Sequence, residues 1–316
     1  MSIQRGGGSY HADMPLASPP ERKNHLDLLA VSLLMLCCLL WGGQQVLIKA
    51  TLPELPAVFQ AWLRLGGATL LVLLWCLLKG ISLWGRDGSL GAGLLAGLFF
   101  AGEFACIYVG LQHTSASRLT VFLYTAPFWV ALLLPLKIPA ERLHGVQWLG
   151  LALAFAAVVF ALREGLDPAQ GQSLQGDLLG LAAGMFWGLT TLVIRGSKLA
   201  QISTEKLLFY QVGVSAVLLP VLSLALGEVW VWPPSAFAWG SVLAQATVGG
   251  FVSFLIWMWM LGRYPATRMS SFVFFTPLFA LLFGAWWLDE TVTPGVLVAI
   301  GAVAAGMALM NRKAAG

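Results

Sequence analysis

Charge is what this sequence has least of. Lys, Arg, Asp and Glu together make up 10% of its 316 residues, against roughly 25% in soluble domains. By contrast 59% of the residues are apolar and mean hydropathy is +0.82. A soluble core cannot hide that much apolar sequence behind so few charges, but a bilayer is itself an apolar solvent. Cysteine and histidine are scarce too, with four of each. Cys37, Cys38, Cys76 and Cys106 fall in long apolar runs without metal-ligand spacing and read as small packing residues. His11, His25 and His113 lie outside those runs, and His144 stands at the very edge of one. There is no phosphate-binding loop and no Gly-x-Ser-x-Gly elbow, and Asp289-Glu290 is the only adjacent pair of carboxylates. These absences argue against an enzyme and predict no cofactor and no metal. With no nucleotide loop in this chain, any energy for work at the membrane comes from gradients.

Ten runs are long and apolar enough to cross a bilayer: 27–49, 57–78, 90–111, 116–136, 143–162, 178–195, 206–226, 237–260, 269–288 and 294–310. A transmembrane β-barrel needs strands that alternate polar and apolar, whereas Leu28–Leu40 is apolar on every face. The expected fold is therefore an all-α integral membrane bundle of ten helices. Residues 1–26, with Gly6-Gly7-Gly8 and Ser18-Pro19-Pro20, read as a disordered tail. They do not read as a cleaved signal peptide, because the first apolar run is too long and no Ala-x-Ala site follows it. The longest connection, 163–177, has 15 residues, too few for a soluble domain, and 311–316 closes the chain.

An even number of spans puts both ends on one side, so the loops can be sorted by charge. Fourteen of the 18 Lys and Arg residues fall in the tail, the even-numbered connections and the C-terminal end. Lys49, Arg118 and Arg163 lie on the opposite side, and Arg64 lies inside a span. The positive-inside rule then predicts cytoplasmic termini and makes 163–177 an external linker. The basic residues are scattered and not interleaved with aromatics, which gives no support for nucleic-acid binding.

The chain is written twice. An offset of 150 residues aligns Leu111–Leu132 with Leu261–Leu282 without a gap, matching Ala116/Ala266, Arg118/Arg268, Phe122/Phe272 and Pro127/Pro277. Trp41-Gly42 followed by Lys49 recurs as Trp187-Gly188 followed by Arg195, and Asp27-Leu28-Leu29 recurs as Asp177-Leu178-Leu179. The halves are 27–162 and 178–310, with five spans each. An odd number of spans forces the second copy to enter from the other side, the inverted repeat of secondary transporters.

Together, Trp-Gly in the first span of each half, Leu111-Gln112-His113-Thr114-Ser115-Ala116-Ser117-Arg118, Tyr124-Thr125-Ala126-Pro127 and Glu141-Arg142-Leu143 resemble the EamA-type drug/metabolite transporters. The second half repeats a weaker version, Ala266-Thr267-Arg268 to Thr276-Pro277 and then Asp289-Glu290-Thr291. The resemblance covers residues 27–310. It implies a ten-helix bundle of a bacterial inner membrane, with both ends cytoplasmic, that moves small metabolites, often amino acids.

Arg64 and Glu103 are the ionisable residues well inside spans, and each costs about 2.5–3.5 kcal/mol at mid-membrane on insertion scales. Counted along their helices from the tail side, both lie at a depth of about 21–23 Å, so they can meet. Three roles fit: a structural ion pair, Arg64 as a bidentate fork for a substrate carboxylate, or Glu103 as a proton carrier. Gln44 and Gln45 lie slightly deeper and would line the same cavity or bond between helices. Tyr124 sits near the midplane, just before Pro127. Pro127 and Pro277 remove backbone hydrogen bonds at equivalent positions, leaving kinks or unwound carbonyls. Trp84, Trp230, Trp232, Trp286 and Trp287 fit an interfacial belt. Trp41, Trp187 and Trp257 lie deeper, as cavity walls or core packing. Gly93/Gly97 and Gly180/Gly184 are close-contact helix faces.

The sequence thus predicts a secondary transporter, in the exporting direction, of small metabolites, amino acids or related zwitterions, with the bilayer, a small solute and protons as partners. A translocator of lipids or hydrophobic compounds is one alternative. A non-transporting membrane partner or sensor is the other.

Overall fold

The computed structural model describes residues 23–113, 116–161, 163, 174–232, 234–287 and 294–310. The expected termini 1–22 and 311–316, most of the linker 163–177 and the Asp289-Glu290 pair lie outside these residues. Ten membrane-crossing elements follow in order: α1 (Leu28–Thr51), α2 (Ala57–Lys79), α3 (Leu90–Gly110), α4 (Ala116–Leu123 and Ala126–Leu133), α5 (Gly145–Ala161), α6 (Leu174–Arg195), α7 (Thr204–Ala225), α8 (Ala236–Leu261), α9 (Ala266–Trp287) and α10 (Pro294–Met310). Eight have the length and hydropathy of full spans, and α5 and α10 are shorter apolar helices. No strand occurs among the described residues. The membrane face carrying Lys23 and Met310 is called the tail face below, and the other the far face.

Local chemistry sets the ends of these helices. Asp27 caps α1 by accepting from the Ala30 N–H at 2.9 Å, and Ser235 caps α8 through Ala238 N–H at 3.0 Å. The start of α2 is capped from a distance: Glu228, beyond α7, accepts from the Val58 and Phe59 N–H groups at 2.9 and 2.8 Å. Gly80 ends α2 at φ 67°, in the left-handed region where a side chain would be strained. Two starts come earlier than the hydropathy runs suggest, at Leu174 for α6 and Ala266 for α9, because amphipathic first turns hold polar residues that a hydropathy window rejects.

Of the two proline positions, Pro127 follows a break and Pro277 lies in an unbroken helix just after a tightened turn. Pro127 has no N–H for the Leu123 carbonyl, and the first piece of α4 ends at Leu123. In α9 the helix tightens to a 3₁₀ turn over Phe272–Phe274 just before the piece that carries Pro277. A third irregularity has no proline: α8 widens to a π-helix over Gln245–Val252.

The two halves pack as mates. Gly42 on α1 abuts α9, where an added Cβ would lie 2.7 Å from Phe279 Cβ and 2.9 Å from the Ala280 nitrogen. Gly188 on α6 abuts α4 in the same way, 2.6 Å from Trp129 Cβ and 3.4 Å from the Val130 nitrogen. Phe279 and Ala280 are the residues 150 positions after Trp129 and Val130. Between α5 and α10, Gly150 and Gly306 face each other, each admitting the other's carbonyl oxygen 2.6 Å from where a Cβ would stand. A two-fold exchange of the halves accounts for all three contacts. Gly93 and Gly97 let α3 close on Tyr210 and Val214 of α7, and Gly180 and Gly184 let α6 close on α4. The outer surface is apolar, with Leu70, Leu77, Val217, Val221 and Leu243 exposed to the bilayer. Trp84, Trp232 and Trp286 are exposed at helix ends.

Candidate functional site

An interior cavity of about 130 Å³ lies between α1, α2, α3, α4, α6, α7 and α8. Arg64, Glu103, Gln44, Gln45, Tyr124, Trp41, Trp187 and Trp257 all line it. Pro127 and Pro277 do not; the break before Pro127 instead presents Leu123 and Tyr124 to the cavity.

Arg64 is held as a fork. The Gln44 amide, with its oxygen turned toward the guanidinium, accepts from Nη1 at 2.8 Å and from Nη2 at 2.9 Å. The guanidinium also lies 5.0 Å from the Phe104 ring and 5.7 Å from the Phe254 ring, and these faces stabilise a desolvated cation. Its Nε has no partner among the described residues. One neutral amide and two rings do not neutralise a buried cation, so the site keeps a formal demand for an anion.

Glu103 is buried at 7% exposure and lines the same cavity. Among the described residues it forms no ion pair with Arg64, and no hydrogen bond reaches its carboxylate. Arg64 and Glu103 therefore share a cavity without touching, which does not match a structural ion pair in direct contact, the first of the three roles the sequence allowed. Close by, the buried Tyr108 hydroxyl has no partner among the described residues.

The aromatic wall is a three-tryptophan cluster. Trp41 and Trp257 centroids lie 5.2 Å apart, Trp41 and Trp187 6.2 Å, and Trp187 and Trp257 6.1 Å, all edge-on or tilted. Trp41 is pinned by its Nε1–H donating to Ser253 Oγ at 2.8 Å. Gln45 Nε2 donates to Tyr124 Oη at 3.3 Å, tying α1 to the break in α4. Gly249, in the π segment of α8, is what admits Gln44: a Cβ there would fall 1.4 Å from the Gln44 amide.

Several lining residues escaped the sequence reading, although the repeat held the signal. Thr190 and Thr191 stand three and four residues after Trp187, as Gln44 and Gln45 stand after Trp41. Gln211 is the eighth residue of α7, as Arg64 is of α2. Phe254 follows Phe104 by 150 residues, and Ser253, which holds Trp41 from outside the lining, follows Glu103 by the same offset. Each charged or amide group of the first half thus has a smaller or neutral counterpart in the second. Phe100 and Tyr108 carry no such signal, since an apolar helix gives no clue to which of its faces is inward.

On the tail face, just beyond the lining residues Ile194 and Leu261, the cavity ends at a buried knot. Arg195 Nη2 donates to Glu141 Oε1 at 2.6 Å, and Nη1 to the Leu261 carbonyl at 2.8 Å. Glu141 also accepts from Ala266 N–H at 3.0 Å, Thr267 N–H at 3.2 Å and Thr267 Oγ1 at 2.8 Å. Four parts of the chain, the α4–α5 connection and the ends of α6, α8 and α9, meet there. A second tie on that face joins Lys206 to Asp87 at 2.8 Å; with Ser89 beside it, this lysine holds the Asp87 carboxyl well below the ordinary carboxylate range.

Among the described residues no group of His, Cys, Asp and Glu is placed to hold a metal ion. Compared with known proteins, the sequence model of the EamA-like transporter family matches twice, over residues 28–163 and 174–312. An uncharacterized transporter of Bacillus subtilis is 24% identical over 82% of this chain and 89% of its own length. A probable amino-acid metabolite efflux pump of Escherichia coli is 26% identical over 83% of this chain and 87% of its own. A solved crystal structure, 19% identical, superposes with a TM-score of 0.75 over 89% of this chain and 96% of that one, which is a likeness of fold.

Proposed function

The chain belongs to the EamA-like transporter family, and from that premise we propose that it is a secondary transporter that exports a small zwitterion, an amino acid or a close relative, by alternating access. The observation that carries this reading is the unneutralised pair of Arg64 and Glu103 facing one cavity. The Arg64 fork takes the solute carboxylate, with Gln44 holding the guanidinium plane in place. Glu103 takes its compensating charge as the solute ammonium or as a proton, and this exchange couples transport to a pH gradient. Trp41, Trp187 and Trp257 form the apolar wall against which the side chain of the solute rests. Gln45 and Tyr124 hold the break in α4 to α1. The name of the Escherichia coli relative, a probable amino-acid metabolite efflux pump, supports both the amino-acid class and the outward direction. The fourteen tail-side cations support a multi-pass inner-membrane protein with both termini in the cytoplasm. The halves 27–162 and 178–310 are the units that exchange shape.

Counterflow in proteoliposomes with a panel of radiolabelled amino acids, with and without an imposed pH gradient, tests this. The expected result is saturable uptake of one amino-acid class that follows the gradient. Glu103→Gln is expected to keep the fold and counterflow but to abolish the response to pH. Unchanged rate, affinity and pH dependence in a folded Glu103→Gln protein would sink the assignment of Glu103. Uptake of lipid analogues in place of amino acids would sink the zwitterion reading.

A further inference from the structure

Outside the central cavity a strongly charged basin of about 410 Å³ lies on the tail face. It is built from four separate stretches: Lys23 and Asn24 before α1, Ile138 to Gln147 around the α4–α5 connection, Arg195 at the end of α6, and Arg263 to Arg268 between α8 and α9. Five cationic side chains line it, namely Lys23, Arg142, Arg195, Arg263 and Arg268, against one carboxylate, Glu141. Glu141 is already engaged by Arg195 and by the Ala266 and Thr267 groups. Lys23 is paired with Asp27. Among the described residues, three arginines remain without a counter-charge in contact. Arg142 has no side-chain hydrogen bond or ion pair among the described residues. Arg263 stacks on the Trp259 ring at 4.2 Å, which positions it but does not neutralise it. Arg268 has a buried Nη1 with no partner among the described residues.

Loop cations ordinarily spread apart into water, where each is hydrated. Here they converge on one hollow, and an unpartnered buried guanidinium nitrogen faces the same neighbourhood as Glu141, so the site is short of an anion with several acceptor oxygens. We propose that this basin binds a phosphate group, bridged by Arg142, Arg263 and Arg268. Phosphate matches guanidinium forks in geometry and carries enough oxygens to serve three of them at once. Its source is a phospholipid headgroup of the adjacent leaflet or a soluble phosphate, and the chemistry at the basin is the same for both. Because the floor of the basin is the Glu141–Arg195 knot, an anion bound there would bear on the same four chain segments that close the central cavity on this face.

The test uses the full-length protein purified in neutral detergent and in nanodiscs. The unfolding midpoint is measured with inorganic phosphate against chloride at equal ionic strength, and lipid retention is read by native mass spectrometry with phosphatidylglycerol against phosphatidylcholine. The expected result is selective stabilisation by phosphate or selective retention of phosphatidylglycerol in the wild type. In Arg142→Gln/Arg268→Gln the affinity for the anion should fall roughly 30-fold, at about 1 kcal/mol per basic residue. Arg142→Lys/Arg268→Lys should keep most of the binding, and it replaces the glutamine variant if that variant does not fold. Phosphate acting alone identifies a soluble source; phosphatidylglycerol acting without phosphate identifies the headgroup. No preference for either anion in the wild type, or the same preference in the glutamine variant, overturns the proposal. Neither readout depends on transport, so the central-site reading can fail while this one stands.

Discussion

Arg64 is the residue on which the site turns, and its geometry separates charge from shape. A lysine at that position would keep the positive charge but lose the planar fork that Gln44 orients. Hydrogen bonds to charged groups are worth about 1.5–3 kcal/mol, so Arg64→Lys is expected to weaken solute affinity roughly 10- to 100-fold. The protein should still fold, because the ammonium can use the Phe104 and Phe254 faces. Isothermal titration or concentration-dependent counterflow checks this, and affinity within two-fold of wild type would show that the fork does not touch the solute. That Arg64 and Glu103 reach one cavity was legible from the sequence, since helical rise fixes depth. That they stand apart, with Gln44 on the arginine, was not, because depth says nothing about which way a side chain turns around its helix axis.

Among the elements, the two Trp-Gly helices show how small residues set the architecture. At Gly42 and Gly188 the neighbouring atoms are backbone and Cβ atoms, which cannot swing aside as the end of a flexible side chain can. Gly42→Ala is therefore expected to push α1 off α9, and Gly188→Ala to push α6 off α4. Each should lower the thermal midpoint at a cost of about 1–3 kcal/mol, the usual range for overpacking. A control at Gly91, with no atom within 4 Å of an added Cβ, should be near neutral. Equal midpoints for all three variants would show that the helix contacts are looser than described. The Trp-Gly repeat was visible in the sequence, but its packing partners were not. The π segment of α8 was also hidden: Gln245–Val252 contains no proline, and its widened turn shows only when the backbone is seen against Gln44.

For the whole molecule, the alternating access proposed above requires contacts on the tail face to part. The Glu141–Arg195 knot joins the first half, through Glu141, to the second, through Arg195, Leu261 and Thr267. Removing one member of a buried pair leaves the other uncompensated, a cost of about 3–5 kcal/mol in known cases. Glu141→Gln is therefore expected to lower the thermal midpoint and to bias the protein toward a tail-open state. A cysteine placed at Thr191 should then be labelled faster by a thiol reagent added on the tail side than it is in the wild-type background. Labelling that stays the same while stability falls would make the knot a structural staple with no part in opening.

The sequence by itself determined the class, the spans, the doubling and the residues that carry charge into the membrane. Those follow from hydropathy, from helical rise and from an offset that aligns the chain with itself, all properties of order along the chain. Only the tertiary structure decided which partners those residues have: Gln44 on Arg64, Glu103 in the same cavity but off Arg64, three tryptophans in one wall, and Glu141 closing on Arg195. In an apolar solvent every face of a helix is equally greasy, so hydropathy cannot mark which face turns inward. That choice rests on close packing between helices, and packing is decided where glycines and carbonyls of segments about 60 to 240 residues apart come together.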